Sequence, residues 1–316
     1  MTLAWTQELK PDDTTAFLFP GTGSGGTPAL NVLVDGAGDR AVARAVLDGA
    51  QEGLPPGWPV LAALLLDDPP SYARAALRPG VAQVCAYACS LVADRVLRAR
   101  GVVPACVVGQ SFGEIAAMVA AGMFTVADGA RMAVSLVEVL SARGAGGGMA
   151  VVAAPEADTA ALLAAAGLAA TVVACTNAPA VTVVSGPLEE LGRLRAAGRE
   201  RGVRSAVLDV PYLAHHPSLA GADDQWYDRI RGFRVSPASL PVYSPVRGRA
   251  YHCGDDPHRA LADCIVRPLR LPELLRAVHG TGVGVFVQAG PGEALCHSVH
   301  LSVPGARAFA TVSEHP

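Results

Sequence analysis

With 316 residues, 51% of them apolar, the chain has material for one large domain or a large domain carrying a smaller insert. A net charge of −3 gives no reason to expect nucleic acid as a partner, and seven cysteines without CxxC spacing argue against a metal or redox centre. The mean hydropathy of +0.34 raises the question of a membrane span, yet the longest apolar stretch, Ile115 to Ala127, has 13 residues against the roughly 20 that a bilayer needs.

The chain opens with a polar stretch in which Glu8, Lys10, Asp12 and Asp13 occupy the place of a secretory leader's apolar core, so a cytoplasmic protein is expected. Ala16 to Phe19 reads as a short buried strand, and Pro20 to Gly26 as the glycine-rich loop leaving it. Residues 80 to 100 repeat apolar side chains at helical spacing, with Val81, Val84, Cys85, Ala88, Leu91, Val92 and Val96 on one stripe. Cys85 and Cys89 fall on one face of that helix and are expected as buried thiols in a reducing compartment. Gly101 stops the helix, Cys106 to Val108 forms a second strand, and helices follow from Ser111 to about Ala121 and from Ala127 to about Ala142. Strand, sharp turn and helix in succession indicate a parallel α/β sheet.

The run Gly144 to Gly148 is the natural hinge, and the rhythm changes after it. Strand 149–153, helix 156–166, strands 170–175 and 181–184, helix 187–201 and strand 203–210 give a β-α-β-β-α-β order, the ferredoxin-like arrangement. A small domain over 147–214, inserted between 1–146 and 215–316 of a large α/β domain, is therefore expected. Further strands lie near Pro241 to Ser244 and Val283 to Gln288.

Gly109-Gln110-Ser111-Phe112-Gly113 fits G-x-S-x-G, in which a serine sits on a strained turn between a strand and a helix. The small residues on either side let that turn pass its neighbours, and main-chain N–H groups at the helix start are placed to hold an oxyanion. Ser111 is thus the candidate nucleophile, with a tight turn and a capping serine as the plainer alternative. Its base is sought in Leu208 to Pro217, where His215 and His216 follow a strand in the loop leaving the small domain. The eight histidines include no HExxH or similar ligand pattern.

Several segments together resemble the malonyl-CoA:acyl-carrier-protein transacylase family, including the acyltransferase domains of polyketide synthases. Phe17 to Ser24 is similar to that family's F-P-G-Q-G-S strand and loop, and Val108 to Glu114 to its V-G-H-S-x-G-E elbow. Asn177-Ala178-Pro179 with Val183 to Gly186 resembles N-x-P…V-I-S-G, and Pro241 to Ser244 and Gly290 to Gly292 match two further landmarks. The matches run in family order from about residue 14 to 305. The resemblance implies a hydrolase-like large domain with the ferredoxin-like insert, and a Ser–His dyad whose histidine is oriented by a main-chain carbonyl. It assigns His215 as the base, with His216 as the alternative, the Arg270 carbonyl as the orienting group, and the N–H groups of Thr22 and Phe112 as oxyanion donors. It also implies a monomer with no bound cofactor, acting on acyl groups carried by coenzyme A or by the phosphopantetheine arm of an acyl carrier protein.

The chain departs from the family where the acyl group is read. Members that use malonyl or methylmalonyl donors carry an arginine 25 residues after the serine, paired with the donor's free carboxylate. That register falls on Leu136. Burying an unpaired carboxylate there would cost on the order of several kcal/mol. Arg131 and Arg143 lie five and seven residues away and do not occupy the same site. Ala214 stands before the histidine where malonyl-selective members often have Phe, which leaves room for a larger acyl chain. Thr22 and Gln110 replace the family's Gln and His, and Tyr212 and Asn177 complete the expected substrate-binding set. The expected function is a trans-acting acyltransferase of polyketide or related natural-product biosynthesis. It would carry an acyl group without a free carboxylate, such as an aminoacyl, peptidyl or other monocarboxylic unit. An acyl-thioester hydrolase, an ordinary malonyl transferase and an inactive carrier-binding homologue are the alternatives. Arg193, Arg195 and Arg199, with Arg201 and Arg204, form a candidate dock for an acidic carrier protein, or a solvated helix face offset by Glu189, Glu190 and Glu200.

Overall fold

A computed structural model describes residues 4–10, 12–22 and 30–312. Part of the glycine-rich loop expected at 20–26 therefore lies outside the described residues. The elements are β1 (Thr15–Phe19), α1 (Ala37–Gln51), α2 (Tyr72–Ala75), α3 (Val81–Ala99), β2 (Cys106–Gly109), α4 (Gly113–Ala120) and α5 (Val126–Arg143). Next come β3 (Gly147–Val152), α6 (Glu156–Ala165), β4 (Val172–Ala178), β5 (Val181–Pro187), α7 (Leu188–Glu200) and β6 (Ser205–Val207). The chain ends with α8 (Ala222–Ile230), β7 (Val242–Ser244), β8 (Arg249–Ala250), α9 (Pro257–Asp263), β9 (Leu269–Arg270), α10 (Leu271–His279), β10 (Val285–Pro291), α11 (Ala294–Ser302) and β11 (Arg307–Val312).

Two sheets organise these elements. The larger runs β11-β10-β1-β2-β7-β8 and is parallel except at its β7–β8 edge. Every residue of β1, β2 and β10 is buried, which is why these strands read as continuous apolar runs rather than alternating ones. The chain leaves β1 and β2 at the same edge of the sheet, and the loops there hold Thr22 and Ser111. Ligands of open parallel sheets bind outside the carboxyl ends of the strands, so this edge is the place to look for a site. All eight residues of α4 are buried, and all but Glu114 are apolar or glycine, consistent with a helix enclosed by the core.

The smaller sheet runs β6-β3-β5-β4-β9. Its first four strands are antiparallel to their neighbours in the ferredoxin-like order, and α6 and α7 cover one face through Leu162, Leu163, Leu191 and Leu194. The fifth strand is new relative to the sequence reading. β9 comes from beyond the segment expected for the small domain and pairs parallel to β4, through Cys175–Leu269 and Thr176–Arg270. The expected strand 203–210 is shortened to Ser205–Val207; the Leu208 N–H still donates to Met149 of β3, but the Val210 N–H folds back onto the Leu208 carbonyl and ends the ladder. Cys85 and Cys89 are buried free thiols on α3, as their spacing implied.

Candidate active site

The elbow is set by two glycines that have no room for a side chain. A Cβ on Gly113 would collide with the Phe19 carbonyl of the neighbouring strand, and one on Gly109 with the Glu114 backbone. The turn between them holds Ser111 at φ +54°, and the helix accordingly starts at Gly113 rather than at the serine. Ser111 shares this left-handed conformation with one other non-glycine residue among those described, His215, also at φ +54°. Such backbone costs about 1–2 kcal/mol per residue and persists where the surrounding fold over-determines it.

Ser111 Oγ lies 2.7 Å from His215 Nε2. The ring's other nitrogen, Nδ1, lies 2.8 Å from the Arg267 carbonyl oxygen. A carbonyl accepts only, so Nδ1 carries the proton and Nε2 presents its lone pair to the serine hydroxyl. Burial lowers the His215 pKa, and the Arg267 bond counters it in part. The neutral, proton-accepting form is thereby favoured. His216 is not turned to Ser111, and both its nitrogens are engaged elsewhere. Its Nδ1 accepts from the Ser218 N–H, and its Nε2 meets the Ala170 carbonyl at 3.1 Å.

The orienting carbonyl belongs to Arg267, not to Arg270 as the family register implied. Arg270 sits in β9, its N–H donating to the Pro245 carbonyl and its side chain paired with Glu156. Arg267 precedes Pro268, which disfavours the helical conformation there and turns its carbonyl out of the α9 terminus. Among the described residues the main-chain N–H groups of Thr22 and Phe112 have no recorded acceptor. Gly21 brings the first of these close to the elbow, since a Cβ there would lie 3.0 Å from the Gln110 carbonyl and 3.6 Å from Ser111 Cβ.

Two cavities meet at the dyad. One, with about 70 Å³ of free space, is lined by Thr22, Gln110, Met149, Asn177, Val183 and Leu269 beside Ser111, Ala214 and His215. It draws its walls from both sheets, and the Gln110 amide donates across it to Asn177 Oδ1 at 2.8 Å. The second, with only about 20 Å³, lies on the other side of Ser111 and is apolar. Leu136 lines it, together with Ile115, Leu140, Trp226, Leu261 and Ile265. No arginine or lysine lines either cavity among the described residues. Arg131 is engaged with Asp128 and the Glu52 carbonyl, and Arg143 with Gln225.

Tyr212, expected to touch substrate, lines neither cavity; it is 2% exposed, and burial pushes its pKa up to about 12, with Thr22 and Gln83 offsetting part of the rise. Glu114 was not singled out from the sequence. It is fully buried, accepting from Ser244 and Tyr251, and burial pushes its pKa up to about 7 despite those donors. It supports the elbow helix and does not line the cavities. Trp226 was also missed. Its sequence signal is the helical stripe Ala222, Trp226, Ile230, spaced four apart among polar residues shortly after the histidines.

Residues 16–305 match the family model described as the acyl transferase domain. The chain belongs to the acyl transferase domain family. Members of this class are serine acyltransferases, and the chain is similar to two kinds of them. It is 33% identical over 219 residues to polyketide synthase GfsA of Streptomyces halstedii, covering 68% of this chain and 3% of that protein. It is likewise 33% identical over 202 residues to the polyketide biosynthesis protein ThaF of Burkholderia thailandensis, covering 64% of this chain and 17% of that protein. The chain thus spans a small part of the curated relatives it matches. Among solved structures it superposes on malonyl-CoA:acyl carrier protein transacylase from Xanthomonas oryzae with a TM-score of 0.83 and 27% identity, covering 96% of each chain. Acyl transferase architecture of this kind combines a hydrolase-like parallel sheet with a ferredoxin-like subdomain, the two sheets described above. The described residues contain no helix long and apolar enough to cross a membrane.

Proposed function

We propose that the chain transfers an acyl group lacking a free carboxylate between a thioester carrier and an acyl carrier protein, through an ester on Ser111. The observation that carries the first half is the 2.7 Å bond from Ser111 Oγ to a histidine fixed in one tautomer by a carbonyl. The second half rests on Leu136, which lines the cavity beside the serine where a carboxylate-binding arginine would be needed.

The chemistry runs in two mirrored halves. Ser111 Oγ attacks the thioester carbonyl as its proton passes to His215 Nε2. The main-chain N–H groups of Thr22 and Phe112 hold the negative oxygen of the tetrahedral intermediate. The carbon–sulfur bond then breaks, and the departing sulfur takes the proton from His215. An incoming pantetheine thiol gives its proton to His215, attacks the seryl ester and releases Ser111 in the same way. No cofactor enters beyond the pantetheine arm of coenzyme A or of the carrier. Gln110 and Asn177, bonded across the larger cavity, are positioned to guide that arm and the acyl amide or thioester it carries.

Arg195, Arg199 and Arg204 line a surface groove at the end of α7 beside β6, whose following residue Leu208 reaches the larger cavity. Such a groove suits an acidic carrier protein. Arg193 is turned to the Ala166 carbonyl and contributes less.

The test is a transfer assay with radiolabelled malonyl and monocarboxylic acyl-coenzyme A, comparing the protein with a Leu136→Arg variant and following both acylated carrier and free acid. The protein is expected to prefer the monocarboxylic donors, and Leu136→Arg to shift the ratio toward malonyl by about tenfold or more. Malonyl transfer equal to or above the others in the unaltered protein would overturn the assignment. Free acid as the main product, with the carrier thiol present, would make it a hydrolase instead.

A further inference from the structure

The small apolar cavity has a floor that the sequence did not reveal. We infer that Trp226 sets the length of the acyl chain that Ser111 can accept, and holds it to a short unit of about two or three carbons. This rests on the proposed carboxylate-free acyl transfer and adds to it a limit on size.

Trp226 lies on α8 and is 1% exposed. It lines the same cavity as Ser111 and His215. A tryptophan N–H buried without a partner would let the ring tilt or swing; here Nε1 donates to Ser135 Oγ at 2.9 Å, and that hydroxyl in turn donates to the Met132 carbonyl at 3.0 Å. Ser135 is adjacent to Leu136 on α5, so one helix supplies both the side wall and the anchor of the floor. The remaining walls include Phe112, Ile115, Leu140, Leu261, Cys264 and Ile265, none of which carries a charge. The space is small: about 20 Å³, where one water needs about 10–15 Å³ by the same measure, admits one or two water-sized groups rather than a long chain. An acyl carbon bound to Ser111 Oγ on this side therefore finds room for a methyl or ethyl, giving a two- or three-carbon acyl group, and a longer chain competes with the anchored indole for the same space. The small Ala214 leaves room at the dyad, but the floor closes the space beyond it.

The experiment measures kcat/KM for acyl-N-acetylcysteamine thioesters from acetyl to octanoyl, with the protein, Trp226→Leu, Ser135→Ala and Leu140→Ala. For the unaltered protein the optimum is expected at about two or three carbons, with hexanoyl at least about tenfold below it. Trp226→Leu should raise the hexanoyl-to-propionyl ratio by about tenfold or more, and Ser135→Ala, which frees the ring without removing it, by a smaller factor. Leu140→Ala opens the opposite wall and keeps the test readable if the tryptophan variant does not fold. A ratio unchanged within about twofold in every folded variant would overturn the role of Trp226. Acylation by malonyl thioester with none by any monocarboxylic thioester would instead overturn the carboxylate-free reading on which it rests.

Discussion

Ser111 and His215 both occupy left-handed backbone, and each is held there by something other than its own preference. The serine is pinned by the two glycines that flank it, and the histidine by its bonds to Ser111 and to the Arg267 carbonyl. The partner on Nδ1 is a neutral dipole rather than a carboxylate, so less holds the ring in its charged form and burial lowers its pKa below the ordinary 6.5. The sign of the pH effect follows. The neutral imidazole is the base, so acylation is complete above the folded-state pKa and falls as pH drops through it. In a stopped-flow measurement of Ser111 acylation, the rate at pH 6.5 should already lie within about twofold of its plateau. A midpoint at or above 6.5 would show that the histidine is not buried as described. The choice of His215 over His216 was available from the family register alone. The choice of Arg267 over Arg270 was not, because it depends on how a proline turn and a two-residue strand divide the segment after α9.

At the scale of elements, the strand-turn-helix unit of β2 and α4 depends on backbone approaches that only glycine permits. Gly113→Ala should lower stability by at least about 1–3 kcal/mol, since the colliding atom is the Phe19 carbonyl of a central strand and cannot swing aside. Urea unfolding measures this; an unchanged midpoint would mean that the elbow tolerates a wider turn. Elements with continuous apolar runs or clear helical stripes, such as β1, α3 and α5, were legible because their burial is local to their own pattern. β9 was not legible. Two residues give no period, and its strand character comes only from pairing with β4. The floor of the acyl cavity was illegible for a related reason, since Trp226 and Ser135 stand 91 positions apart and only packing of α8 against α5 joins them.

Across the whole molecule, the site is a seam between two sheets. The large sheet supplies Ser111 and Thr22 from the ends of parallel strands, and the segment returning from the small sheet supplies His215. Several ties cross the seam, among them the Gln110–Asn177 bond, the His216–Ala170 bond, and β9, which carries the chain from the Arg267 turn into the small sheet. The base is therefore oriented by a segment that belongs to both. The alternating order of strands and helices carried the two-sheet plan in the sequence, and the family landmarks gave the order of the site residues. What neither carried is the shape of the space around Ser111, which depends on which side chains meet across the seam. That space contains no cation to pair with a carboxylate, among the described residues.

The central claim is tested most directly by intact-protein mass spectrometry after incubation with malonyl-, acetyl- and propionyl-coenzyme A, beside a Ser111→Ala control. A mass increase equal to one acetyl or propionyl group, lost in Ser111→Ala and absent with malonyl, is the result expected. A malonyl adduct on Ser111 without the other two would contradict it and place the chain with the ordinary malonyl transferases.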